Sequence, residues 1–403
     1  MQTTPLFTRN VVTLFACQVV NVGGTVLMVT VGGIMGASMA PHGAMATLPL
    51  ALMVVGTAVS TIGASAVMAR IGRRRGFSIA SMIGLMAASC AALAASQGSF
   101  LLLCAANLLL GTKIAFSAQY RFAAAESVSA HRGGQAVSVV LSGALGGAFL
   151  GPALALQAQD LLASGAFVGS FVVLATLYLV ELAMLSALTP TAAEREHRGG
   201  AVGRPTARPL SEIARQSTFR VAVLAGIVGQ GTMVFIMTAT PISMHVMNGH
   251  SLADTTGVVQ AHVIAMYGPA LLTGLIVARL GAPIMMTIGA LVTGATIVVG
   301  LSGTAVPHYW ISMALLGIGW NFLYIGGTTQ LLTTYRPAER FKSQALNDFS
   351  VYTASAIASL LAGSVVYYLG WNTVLILCVP VVAAMLLTVF MTRNEVSHAE
   401  ASG

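Results

Sequence analysis

Long apolar stretches separated by short polar gaps dominate the chain. They lie near residues 11–36, 44–68, 77–96, 99–120, 136–157 and 165–188, and again near 219–245, 256–278, 283–303, 309–333, 346–368 and 371–392. A bilayer core of about 30 Å takes roughly 20 helical residues to cross, and each stretch is about that long. The pattern therefore predicts twelve membrane-spanning helices, six on either side of a polar stretch at about 190–217. The first stretch precedes Ala37-Ser38-Met39-Ala40, which faintly resembles a signal-peptidase site. It is about twice the length of a signal-peptide apolar region, and similar spans follow it, so it is read as a retained first helix.

The cations sharpen this picture. Eighteen of the nineteen Lys and Arg residues fall in alternate gaps, and none falls in the other set. One side holds Arg9, the Arg70/Arg73/Arg74/Arg75 cluster, Arg121, Arg132, the arginines from Arg195 to Arg220, Arg279, Arg336, Arg340, Lys342 and Arg393. The opposite gaps hold Asp160, Asp254 and a few histidines. Cytoplasmic loops retain positive charge, so both termini and the central stretch are expected in the cytoplasm, with the chain in the inner (plasma) membrane.

Composition excludes a soluble fold. Charged residues make up 7% of the chain and hydrophobic residues 56%, with a mean hydropathy of +0.86. That leaves too few polar groups to cover a water-facing surface. The net charge of +8 sits beside apolar spans, which points to lipid headgroups and not to nucleic acid. Cys17, Cys90, Cys104 and Cys378 all lie inside apolar stretches. Their placement suits small core residues better than a disulfide framework or a metal site.

Between the two sets of spans, Thr189-Pro190-Thr191 through Arg208-Pro209 repeats Gly, Pro, Arg and Glu. That is a linker composition, with a short surface helix expected at about 211–216. The expected domains are residues 1–189, a linker at 190–217, and 218–403. The halves resemble each other: Met68-Ala69-Arg70-Ile71-Gly72 recurs as Val277-Ala278-Arg279-Leu280-Gly281, and Gln135-Ala136 as Gln344-Ala345, both at an offset of 209 residues. Tyr120-Arg121 and Tyr335-Arg336 close the fourth and tenth spans. Duplicated six-helix halves are a transporter architecture.

With these residues in view, essentially the whole chain resembles a twelve-helix bacterial transporter of the major facilitator superfamily. Arg70-Ile71-Gly72-Arg73-Arg74-Arg75-Gly76 is similar to the superfamily's signature between helices 2 and 3. The resemblance implies an all-α membrane protein with two pseudo-symmetric six-helix bundles. It also implies a cytoplasmic gate around Arg70, Gly72 and Arg73. The pattern's usual acid before the first basic residue is replaced by Ala69, and by Ala278 in the second half. Asp348, read as standing at the start of the eleventh span, is a candidate to pair with Arg70 or Arg73. A helix cap is its plainer role. Gly147-Ala148-Phe149-Leu150-Gly151-Pro152 is similar to a motif of drug/proton antiporters, although small residues four apart also serve simple helix packing. Asn107 stands where that group's helix-4 arginine would be.

The resemblance places the substrate path along helices 1, 4, 7 and 10, near the midplane and between the halves. Asn21, Gln230 and Asn321 lie roughly 15–18 Å into their helices, with Asn107 somewhat nearer the outside. Each of the four helices thus carries one amide that can donate to and accept from a polar solute. The alternative is that the amides tie helices together. Trp320, Tyr324 and Phe235 could stack on an aromatic part of a substrate, or simply pack. Lys113 and Glu181 lie at similar depths, about 20 and 23 Å from the outer ends of their helices, which allows an ion pair. Anion binding by Lys113, proton coupling by Glu181 and snorkelling to the interface are the other readings. His262 is a third proton-coupling candidate, or a packing histidine.

No constellation for an enzyme, no channel-filter loop and no nucleotide-binding motif occurs in the sequence. The expectation is a secondary transporter, working as a monomer, that moves a small organic solute by alternating access with protons as partner and no cofactor. The helix-5 motif leans towards export, and uptake of a nutrient or vitamin-like solute is the alternative. A transporter-like receptor could keep the same fold.

Overall fold

The computed structural model describes residues 5–42, 45, 48–159, 161–162, 165–190 and 207–401. Among these, twelve helices are long and apolar enough to cross a membrane: α1 Arg9–Gly36, α2 Leu48–Ile71, α3 Arg73–Gln97, α4 Phe100–Ala125, α5 Ala130–Gln157, α6 Val168–Leu185, α7 Ser217–Met247, α8 Ala253–Leu280, α9 Ala282–Leu301, α10 Val306–Leu331, α11 Pro337–Leu369 and α12 Trp371–Met391. No strand occurs among the described residues. Hydrocarbon cannot satisfy backbone groups, so each segment closes its own hydrogen bonds as a helix. Polar caps mark several starts. Thr8 accepts from Val11 N at the head of α1, Ser99 from Leu102 N before α4, and Ser251 from Asp254 N before α8.

The sequence reading misplaced some boundaries. The eleventh span starts at Pro337, nine residues before the expected 346, because a 3-10 turn and the polar run Arg340-Phe341-Lys342-Ser343-Gln344 are helical. Asp348 therefore lies more than two turns inside α11, which removes helix capping as its role. The fourth span continues past a break at Ala118 and Gln119 to Ala125. The short helix appears as Leu210–Arg215, held by its buried Ile213. Of the linker expected at 190–217, residues 191–206 lie outside the described residues.

Two compact units emerge: Met1–Ala130 with Val139–Arg204, and His131–Ser138 with Pro205–Gly403. In the first, an alanine stripe on α3 (Ala87, Ala88, Ala91, Ala94) packs with Leu27, Met28, Phe171, Leu174 and Tyr178. Small residues let backbones approach. A Cβ on Gly147 of α5 would stand 2.7 Å from Gly23 N on α1, and one on Gly151 2.9 Å from Gly23 O. The Gly147/Gly151 pair thus forms a close α5–α1 contact, with Pro152 in the next position inside α5. In the second unit, Tyr309 donates to or accepts from Ser243 Oγ at 2.6 Å and packs its ring 5.1 Å from that of Trp371. Apolar side chains such as Val59, Leu101, Leu156 and Tyr368 point outward from the helices. Such a surface suits acyl chains as solvent.

α8 is interrupted between Tyr267 and Ala270 by Gly268-Pro269, since proline offers no N–H to the ladder. Gly72, between α2 and α3, and Gly281, between α8 and α9, share one backbone conformation, with φ of 85° and 82°. Residues with a Cβ rarely adopt it. The same turn thus closes both copies of the sequence repeat.

Candidate functional site

Within the first unit, Lys113 of α4 and Glu181 of α6 are both fully buried and stand 3.3 Å apart as an ion pair. Lys113 Nζ also donates to Asn21 Oδ1 on α1 at 3.0 Å and towards Ser117 Oγ at 3.5 Å. It lies 4.7 Å from the centre of the Tyr178 ring. Glu181 accepts from Ser81 Oγ of α3 at 2.8 Å and from Tyr120 OH at 2.9 Å. An isolated charge in hydrocarbon is costly, and these contacts provide each member with opposite charge and hydrogen bonds. Four helices converge on this one ionic group.

The pairing of Lys113 with Glu181 was among the sequence alternatives, and Asn21 joins it. Ser81, Ser117, Tyr120 and Tyr178 were not foreseen. Hydroxyls in apolar helices commonly bond their own backbone, so residue type gave no useful signal. Asn107 stands apart. It is fully buried, its Nδ2 donates to Leu103 O at 2.9 Å on its own helix, and its Oδ1 has no partner among the described residues.

The second unit carries an aromatic group. Trp320 and Tyr324, one turn apart on α10, stack with centroids 4.9 Å apart and planes 14° from parallel. Tyr267, just before the α8 break, meets the Trp320 ring edge-on at 5.4 Å. Trp320 Nε1 donates to Gln230 Oε1 of α7 at 2.6 Å. The sequence reading singled out Gln230, Trp320 and Tyr324 and missed Tyr267. Phe235 packs on the unit's apolar core.

Asn321, adjacent to Trp320, points elsewhere. Its Nδ2 donates to Met266 O at 2.7 Å and its Oδ1 accepts from Thr273 Oγ1 at 2.5 Å. It thereby braces the two segments of α8 across their break. His262 is fully buried, with Nδ1 2.8 Å from Met313 O and Nε2 without a partner among the described residues. A carbonyl only accepts, so Nδ1 is the donor, and the ring ties α8 to α10.

At the α2–α3 turn, Arg73 is buried and forks onto Glu126, with Nη2 2.6 Å from Oε1 and Nε 3.0 Å from Oε2. Gln119 Oε1 accepts from Arg73 Nη1 at 3.2 Å. Glu126 thus provides this arginine with a carboxylate although Ala69 replaces the signature's acid. Arg70 is exposed, whereas Asp348 is buried and accepts from Asn347 Nδ2 at 2.9 Å. In the second unit the comparable pairing comes from the linker's end. Arg208 Nη2 lies 2.7 Å from Glu339 Oε2, and its backbone N–H donates to Glu339 Oε1 at 2.8 Å. No group of three potential metal ligands occurs among the described residues.

The comparisons place this architecture. Residues 14–323 match the Major Facilitator Superfamily. The chain belongs to that superfamily. It is 34% identical over 383 residues to the riboflavin transporter RfnT of Brucella anthropi, an alignment spanning 95% of each chain. It is 30% identical to the uncharacterized MFS-type transporter YdeG of Bacillus subtilis, over 90% of this chain and 86% of that one. Among solved structures, the fucose:proton symporter FucP of E. coli superposes with a TM-score of 0.74 at 15% identity, covering 95% of this chain and 97% of that one. The human organic anion transporter MFSD10 superposes with a TM-score of 0.76 at 12% identity, covering 94% and 99%. At these identities the structures speak for the fold alone. The chain is a multi-pass membrane transporter of a small molecule and not an enzyme.

Proposed function

We propose that this transporter takes up a flavin-like solute, riboflavin or a near analogue, from outside the cell. The observation that carries the reading is the 34% identity to a riboflavin transporter along 95% of both chains. The aromatic group supports it. A flavin offers a flat heteroaromatic ring with a polar imide edge. Trp320, Tyr324 and Tyr267 provide aromatic faces and edges, and the Nε2 of Gln230 has no hydrogen-bond partner among the described residues. Stacking plus one donor suits such a ring. A vitamin-class cargo also favours uptake over export, because a cell consumes what it takes in. The Gly147/Gly151 motif, which leaned towards export, has a sufficient role in packing α5 on α1.

We further propose proton coupling through Glu181. A proton there would cancel its charge and leave Lys113 held by Asn21 alone among its strong partners. The buried ionic group would then differ between two protonation states, as a coupled cycle requires. In this reading the membrane is the inner membrane and both termini are cytoplasmic.

The test is flux of radiolabelled riboflavin into proteoliposomes of the purified protein, with and without an inside-alkaline gradient. Accumulation above equilibrium that a protonophore abolishes is the expected result. Gradient-independent entry would remove the coupling while keeping the cargo. Absence of riboflavin flux, in a preparation that transports another solute, would overturn the cargo assignment.

A further inference from the structure

On the second unit, an open groove of about 330 Å³ is lined by Ala214, Phe219, Arg220, Val223, Leu224, Ile227, Leu346, Ser350 and Thr388. The α7 residues from Phe219 to Ile227 recur on one face and run roughly 12 Å along the helix. α11 contributes Leu346 and Ser350, α12 contributes Thr388, and the short helix contributes Ala214 at the mouth. The Ser350 hydroxyl bonds Leu346 O on its own helix, and the Thr388 hydroxyl bonds Ala384 O. Those contacts leave an apolar channel with a single charge on its lining.

That charge is at one end. Arg220 lines the groove and is exposed, and Arg215, next to Ala214, is exposed as well. Neither guanidinium has a hydrogen bond or ion pair among the described residues. The nearby acids are directed elsewhere: Glu339 is engaged by Arg208, and Glu212 lies 4.0 Å from Arg208. An unpartnered guanidinium on the lining of an apolar channel, with a second one carried by the residue after the lining Ala214, matches an anion carrying a long hydrocarbon chain. Arginine favours the oxygens of a phosphate, and each methylene buried along the channel adds apolar gain. Residues 191–206 of the linker would fill such a channel poorly, since Val202 is their only Val, Leu, Ile, Met or Phe.

We infer that this groove is a binding site for an anionic phospholipid, with the acyl chain along α7 between α11 and α12 and the phosphate at Arg220 and Arg215. The site is independent of the solute cargo, so its failure would leave the transport reading intact. On the proposed orientation it samples the cytoplasmic leaflet, where juxtamembrane cations meet anionic lipid.

Native mass spectrometry of the detergent-purified full chain tests this with dioleoyl phosphatidylglycerol and dioleoyl phosphatidylcholine, which share acyl chains and differ in headgroup charge. Wild-type protein should retain phosphatidylglycerol at least fivefold better. Arg220→Gln combined with Arg215→Gln should bring the two lipids to parity, while Arg9→Gln, a cation far from the groove in sequence and in the other unit, should change nothing. Val223→Trp, which fills the channel while keeping both charges, should lower retention of phosphatidylglycerol. If that variant does not fold, the arginine variants decide alone. Equal retention of both lipids by the wild type, or undiminished phosphatidylglycerol preference in the double arginine variant, would overturn the assignment.

Discussion

At the scale of single residues, the Lys113–Glu181 pair defines the first unit's interior. Its value lies in mutual compensation: each charge is tolerable because the other is 3.3 Å away. Removing one partner from such a pair costs about 3–5 kcal/mol, whereas replacing both with apolar groups of similar volume is close to neutral. Lys113→Met and Glu181→Leu should therefore each lower the unfolding midpoint of the purified protein strongly. The double variant should recover most of the loss. Midpoints followed by tryptophan fluorescence would check this, and a double variant as damaged as the sum of the singles would exclude the compensation. If Glu181 also couples protons, the double variant should be stable yet unable to accumulate substrate. Only part of this group was legible in the sequence. Two charges at matched depth announce themselves in a chain with 7% charged residues. The hydroxyls of Ser81 and Tyr120 that complete Glu181 do not, because only the packing of α3 and α4 against α6 brings them there.

At the scale of elements, two amides chosen by the same depth argument make opposite predictions. Asn321 bonds Met266 O and Thr273 on either side of the α8 break. Leucine there would take the amide from the buried Met266 carbonyl and leave the Thr273 hydroxyl with Pro269 O alone, at about 1–3 kcal/mol. Asn321→Leu should therefore be destabilised, with little change in substrate KM in the molecules that fold. Gln230 is half-buried and, among the described residues, its side chain bonds only the indole of Trp320. Gln230→Leu should fold well and raise KM by about 5- to 150-fold, the equivalent of one lost polar contact of roughly 1–3 kcal/mol. Thermal midpoints and KM measured on both variants separate the roles, and the reverse assignment would emerge if the effects were exchanged. Hydropathy locates helices because lipid demands a full apolar stretch. It is blind to the break in α8 and to the polar first turns of α11, where the helix continues beyond the apolar segment. Those turns carry Glu339, Arg340, Ser343 and Gln344, all buried, so the boundary error was also an error about a polar cluster.

At the scale of the whole molecule, the repeat and its exceptions both matter. The turns at Gly72 and Gly281 have the same conformation, as an offset of 209 residues requires. At that offset, Arg73 corresponds to Ala282, so α9 lacks the cation that grips Glu126 in the first unit. Glu339 instead receives Arg208 from the end of the linker. Lys342 bonds the carbonyl of the same arginine. A sequence comparison of the halves exposes the missing cation but not its replacement, which comes from outside the repeat. The cations also set the last prediction. Eighteen lie in alternate gaps and none in the others, and carrying each charge against a membrane potential costs about 2.3 kcal/mol per 100 mV. An inverted chain would have to move this set of cations across, so a single orientation is expected, with Arg208 and the lipid groove on the cytoplasmic side. Thr304, exposed between α9 and α10, and Gly200 in the linker report the two faces. Three of the four native cysteines are buried and the fourth is half-buried, so background labelling should be low. In intact cells, an impermeant maleimide should label Thr304→Cys, and it should reach Gly200→Cys only after permeabilisation. Labelling of Gly200→Cys in intact cells, with Thr304→Cys protected, would invert the topology and move the groove to the outer leaflet, where the charge argument for an anionic lipid at Arg220 would no longer hold.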